Sequence, residues 1–133
     1  MTLHEYQSLA DFRYELRRFL RYSEQVTRRH GLTPLQYQLL LQIKGYPQRS
    51  RATIGQLAER LQAKHHGVVA LSTRCEKLGL LKRQTSNEDR RVVFLTLTSK
   101  GNRALEALAE WHRDELRSLQ GRFVVPPLKP GLG

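Results

Sequence analysis

The sequence predicts a mainly helical chain with one small β-hairpin, an α+β arrangement in which a helix-turn-helix is followed by a wing. Three observations carry this. Apolar residues recur at three- and four-residue steps over most of the chain, the period of helices with one buried face. The stretch from Leu78 to Gly101 breaks that period. It reads Leu-Gly-Leu-Leu-Lys-Arg, then Asn87-Glu88-Asp89-Arg90-Arg91, then Val-Val-Phe-Leu-Thr-Leu-Thr-Ser-Lys-Gly, two strands around a charged tip and then a helix start. Directly before it stand two short helical patterns separated by a brief turn. A length of 133 residues suits one domain with a small core.

Residues 5–30 read as one long amphipathic helix, with Leu9, Phe12, Leu16, Phe19, Ser23 and Val26 on its apolar stripe. Arg17, Arg18, Arg21, Arg28 and Arg29 lie largely off it, and His30-Gly31 ends it. Thr33-Pro34-Leu35-Gln36 supplies a cap, a proline at the first helical position and a capping-box partner. The helix it starts runs to about Lys44. Leu35, Leu39, Leu40, Leu41 and Ile43 cover most of its sides, which predicts burial. Gly45-Tyr46-Pro47 breaks it.

Thr53-Ile54-Gly55-Gln56 is a second capping box, opening a short helix with Ile54, Leu57, Ala58 and Leu61 inward. A turn at Gln62-Ala63 leads into a helix from about Lys64 to Leu78. Its inward face is Val68, Leu71, Cys75 and Leu78; its outward face carries His65, His66, Val69, Thr73 and Lys77. Gly79 stops it. Leu80–Thr85 and Val92–Leu97 form the ribbon, with Val92, Phe94 and Thr96 on one face and Val93, Leu95 and Leu97 on the other. Thr98 caps a last helix to about Gly121, striped by Leu105, Leu108, His112, Leu116 (or Glu115) and Leu119. Prolines at 126, 127 and 130 exclude a useful helix from residues 122–133. The chain is expected to be a single unit: a winged lobe at 32–98, flanking helices at 5–30 and 99–121, and a tail at 122–133.

The formal net charge is +11, which calls for an anionic partner. The excess is concentrated. Residues 60–91 carry eight basic side chains (Arg60, Lys64, Arg74, Lys77, Lys82, Arg83, Arg90, Arg91) against three acidic ones (Glu76, Glu88, Asp89). A local excess of this kind suits nucleic acid. One cysteine excludes an internal disulfide and fits a reducing compartment such as the cytoplasm. No run of about 18 apolar residues is present to span a membrane. Charges from Glu5 onward leave no room for the apolar core of a signal peptide.

In a helix-turn-helix the second helix lies in the major groove, where base edges present a distinguishable donor and acceptor pattern. Lys64, His65, His66, Val69 and Ala70 are placed to reach those edges. Lys77, Lys82 and Arg83 are placed for phosphates. Asp89-Arg90-Arg91 has no core role at a hairpin tip. An arginine there can enter a minor groove, and an acid two residues earlier can hold its guanidinium in one rotamer by a two-pronged bond.

The order of long helix, Gly-Leu-Thr-Pro-Leu-Gln-Tyr, Gln-Leu-Ala-Glu-Arg-Leu, Arg74-Cys-Glu-Lys-Leu-Gly-Leu-Leu, Asp89-Arg90-Arg91 and Leu97-Thr98-Ser-Lys-Gly101 closely resembles the MarR family of bacterial transcriptional regulators. The resemblance covers about residues 5–120. It implies a homodimer on double-stranded DNA with a palindromic operator, built through the flanking helices 5–30 and 99–121. It also implies Arg91 as the minor-groove arginine, Asp89 as the acid orienting it, and Arg74 as a helix arginine bracing the wing. Family members usually repress transcription, and many release DNA when a small aromatic or phenolic acid binds between the dimerisation helices and the DNA-binding lobe. Two departures stand out. Family dimers commonly use two C-terminal helices, where this sequence offers one and a proline-rich tail. Lys64-His65-His66 replaces the usual small polar start of the recognition helix.

Cys75 falls on the inward stripe, where a thiol packs as a small hydrophobe. His65 and His66 point about 100° apart on a helix and cannot chelate one metal together. His112 sits on an apolar stripe as an interior residue or a wall of an effector pocket, beside Trp111. No phosphate-cradling glycine loop, clustered metal ligands or nucleophile–base pair is found, so neither a cofactor, a metal nor an enzyme is expected. A non-sequence-specific architectural nucleic-acid binder would share the charge, and a winged-helix protein-interaction module would share the fold.

Overall fold

The computed structural model describes residues 1–47, 49–121 and 124–131. In chain order the elements are α1 (Leu3–Arg29), α2 (Pro34–Lys44), β1 (Arg51–Ala52), α3 (Ile54–Leu61), α4 (His65–Lys77), β2 (Leu81–Thr85), β3 (Val93–Leu97) and α5 (Ser99–Ser118). Thr33 with Gln36 and Thr53 with Gln56 form reciprocal capping boxes at α2 and α3, as their spacing predicts. Thr2 and Glu5 form a third at α1, two residues ahead of the predicted start.

The sheet has three strands in the order β1-β3-β2, all antiparallel, with Arg83 opposite Leu95 and Arg51 opposite Thr96. The ribbon β2–β3 was legible in the sequence, whereas β1 was not. Two residues give no alternation to detect, and Arg51–Ala52 becomes a strand only because β3 offers its second edge.

Leu39, Leu40, Ile43, Leu57, Val68, Cys75, Leu81, Leu95 and Leu108 are fully buried in one core. Three expectations of burial fail. Leu35 and Leu41 on α2 are exposed, since α2 packs by one side despite its apolar residues. Leu78 is exposed as well, because it is the C-cap of α4 and the chain turns there. Ser72, absent from the expected inward stripe, is buried on that helix beside Val68 and Cys75, donating its hydroxyl to the Val68 carbonyl at 2.7 Å. On α5, Glu115 rather than Leu116 lies toward the interior. The tail at 124–131 has no regular structure; the remaining tail residues 122, 123, 132 and 133 lie outside the described residues.

One junction sets where the wing starts. Gly79 adopts φ +75°, and the Gly79 and Leu80 amides donate to the Glu76 and Cys75 carbonyls, which ends α4 in a Schellman turn. The Thr98 amide then donates to the Leu80 carbonyl at 3.1 Å, the Thr98 hydroxyl to the Gly79 carbonyl, and Lys100 Nζ to the Leu78 carbonyl at 2.7 Å. Gly101 lies against this backbone, where a Cβ would enter the van der Waals shell of the Leu80 carbonyl oxygen. Leu-Gly-Leu and Leu-Thr-x-x-Gly are thus two halves of one contact between the end of α4 and the start of α5.

Candidate nucleic-acid interface

Three residues separate the end of α3 from the start of α4. Gln62 takes the left-handed conformation, φ 51°, and the Ala63 amide donates to the Ala58 carbonyl. The αL conformation costs a non-glycine residue roughly 1 kcal/mol. The Gln62 side chain offsets this by donating to the Glu59 carbonyl at 2.8 Å. The turn delivers Lys64 as the N-cap of α4, with no side-chain acceptor for the first-turn amides. Lys64, His65, His66, Val69 and Ala70 are all exposed and follow one another along the first two turns. Lys77 and Lys82 are exposed as well.

At the wing tip the Ser86 amide bonds the Val92 carbonyl and the Val92 amide bonds the Asp89 carbonyl, closing the loop. Arg91 Nε lies 3.1 Å from Asp89 Oδ1 and Nη2 lies 3.1 Å from Oδ2, the two-pronged bond expected from the sequence. The Arg91 amide also donates to Asp89 Oδ1 at 3.0 Å. The Arg91 side chain and then its amide hold the Asp89 carboxyl below the ordinary carboxylate range. The Arg91 side chain stays 91% exposed while both prongs of this bond are made. Arg90 is exposed beside it.

Wing bracing differs from what the resemblance implied. Arg74 is exposed, and among the described residues no hydrogen bond or ion pair ties it to the wing. Arg83, placed by sequence reasoning among the phosphate contacts, lies against α4. Its Nε is 3.4 Å from Glu76 Oε1 and its Nη2 is 3.4 Å from Thr73 Oγ1. Sequence reasoning missed Glu76 and Thr73 as partners because their pairing with β2 depends on the angle at which the ribbon leaves α4. Arg51 on β1, also missed, stacks its guanidinium 4.0 Å from the centre of the Phe94 ring.

His112 and Trp111, the residues assigned to a possible effector pocket, lie in different surroundings. His112 is buried. Its Nε2 meets Ser23 Oγ at 2.8 Å, and its Nδ1 meets the Leu108 carbonyl at 3.1 Å and Tyr37 Oη at 3.3 Å. The Tyr37 and His112 rings stack at 4.8 Å. Burial pushes the His112 pKa down, which favours a neutral ring joining α1, α2 and α5. Trp111 is 48% exposed, with its ring in an edge-to-face arrangement with His30 at 6.3 Å between centroids. A cleft of about 380 Å³ between α1, α2 and α3 is lined by Ser23 and Tyr37, the partners of His112, with Arg60 and Leu61 at α3. Cys75 is buried and its thiol is pushed up to about 11 by burial, consistent with packing and not with reactivity. Among the described residues no group of three or more His, Cys, Asp or Glu side chains could hold a metal ion, and no helix is long and apolar enough to cross a membrane.

A helix-turn-helix with a β-ribbon wing, an exposed row on the second helix and a pre-oriented arginine at the tip define a winged-helix protein. Residues 30–92 match the family model described as MarR family. The HTH-type transcriptional repressor MdtR of Bacillus subtilis (strain 168) is 31% identical over 74 residues, 56% of this chain and 46% of its own. The match thus spans about half the length of that curated relative. AbsC, a MarR family transcriptional regulator from Streptomyces coelicolor, has the same fold, with a TM-score of 0.76 at 22% identity over 95% of this chain and 84% of its own. A cysteine-to-serine variant of MarR from E. coli, solved with operator DNA, has a TM-score of 0.68 at 18% identity over 85% of this chain and 79% of its own. Residues 30–92 are thus similar in sequence to the MarR family, and the solved structures of MarR family regulators share the fold of the chain.

Proposed function

We propose that this chain is a sequence-specific DNA-binding transcriptional regulator that grips a palindromic operator as a homodimer and acts as a repressor. The observation that carries the reading is the Asp89–Arg91 fork. It presents a solvated guanidinium in a fixed rotamer at the end of a ribbon, beside an exposed row on α4. Lys64, His65, His66, Val69 and Ala70 read base edges in the major groove, Arg90 and Arg91 enter the flanking minor groove, and Lys77 and Lys82 neutralise phosphates. E. coli MarR, a protein of the same fold solved with operator DNA, supports the DNA-binding reading.

A second copy is supported by α1 and α5. Leu9, Phe12, Leu16 and Phe19 are only half-buried, while Leu20 and Leu116 are exposed. Burying such stripes against their equivalents is the favourable step in forming a two-fold dimer. A small aromatic or phenolic acid fits the cleft beside Ser23 and Tyr37, where Arg60 offers a cation and the neighbouring His112 network would feel the occupant.

Selection of bound duplexes from a random library at physiological salt tests the reading. An enriched palindrome with half-sites about one helical turn apart is the expected result. Salt-sensitive binding without an enriched motif would replace it with an architectural nucleic-acid binder.

A further inference from the structure

The wing is tied to α4 by one side chain that reaches two residues of that helix. Arg83 on β2 places Nε 3.4 Å from Glu76 Oε1 and Nη2 3.4 Å from Thr73 Oγ1. Thr73 and Glu76 lie three positions apart, on neighbouring turns of one helix face. The Thr73 hydroxyl already donates to the Val69 carbonyl at 3.0 Å, so its oxygen faces Arg83 as an acceptor. A planar fork can span two such acceptors, whereas a lysine ammonium acts as a single point. Arg83 also pairs across the ladder with Leu95, so whatever holds Arg83 holds both strands of the ribbon. Arg74 shares none of this among the described residues.

We infer that Arg83 is a positioning residue: with Glu76 and Thr73 it fixes the angle between wing and recognition helix, and so the spacing between the two grooves the protein reads. The inference rests on the DNA-binding reading above. An arginine serving only as a phosphate contact at this position behaves oppositely in one variant. Glu76→Gln removes a negative charge beside Arg83 and weakens its hold on the guanidinium, so a pure phosphate contact would leave affinity unchanged or tighter.

A positioning role predicts that Glu76→Gln weakens binding to the selected duplex, by roughly three- to tenfold, a fraction of one groove contact. Thr73→Val should act in the same direction and Arg83→Met at least as strongly. In each variant, preference at the flanking minor-groove bases should fall while preference at the half-site bases persists. Combining Glu76→Gln with Arg91→Ala should cost less than the two losses multiplied, because both act through the same wing contact. Circular dichroism and melting temperature establish that each variant is folded. Folded Glu76→Gln protein that binds as tightly as wild type, with flanking preference intact, overturns the inference while leaving DNA binding in place. Wild-type protein that binds no duplex overturns the DNA-binding reading itself, and Arg83 then has no groove spacing to set.

Discussion

Asp89 and Arg91 illustrate how an exposed ion pair can matter without stabilising the fold. A solvated pair of this kind contributes little to stability. In the proposed function its use is to order a long side chain before DNA arrives, which would reduce the entropy lost on binding. Arg91→Ala should therefore weaken operator binding by roughly 1–3 kcal/mol, the scale of one groove contact, with little change in melting temperature. Equilibrium titration of the selected duplex measures this, and unchanged affinity would remove the wing tip from the mechanism. Because Asp89 titrates below the ordinary carboxylate range, the fork persists at every pH above that range. It is lost only as pH falls through the lowered Asp89 value. Cys75 behaves in the opposite sense. With its thiol pushed up to about 11, it has almost no thiolate near neutral pH. A disulfide-exchange reagent should label it only after denaturant is added; rapid labelling of the native protein would contradict its burial.

At the scale of elements, the sequence was most readable where chemistry is local. The capping boxes of α2 and α3 and the stop at Gly79 depend on residues a few positions apart, and each is present in the structure. What was not legible depends on distant partners. β1 exists because β3 has a free edge, the exposure of Leu35 and Leu41 reflects how α2 is seated, and the Arg83 attachment needs the ribbon's departure angle. The junction of α4, β2 and α5 lies between these cases, since the glycine was visible and its contact was not. Gly101→Ala should place a methyl group against the Leu80 carbonyl and destabilise the fold by about 1–3 kcal/mol, the usual cost of overpacking. A lower denaturant midpoint would register this, and an unchanged midpoint would mean the junction yields without cost.

For the whole molecule, the basic excess at residues 60–91 and the two partly covered helices α1 and α5 act together. On the proposed reading, charge would bring the chain to DNA at many sequences, and a second copy would turn two weak half-site contacts into one specific grip. The same charge would serve a single copy that coats DNA without choosing a sequence, so geometry on the duplex decides between them. Hydroxyl-radical footprinting of the selected duplex tests this most directly. Two chains per duplex should protect two half-sites about one helical turn apart, each with a protected minor groove on its outer side that Arg91→Ala exposes. Protection that spreads evenly along the duplex, unchanged by Arg91→Ala, would contradict a dimer that reads DNA with helix and wing.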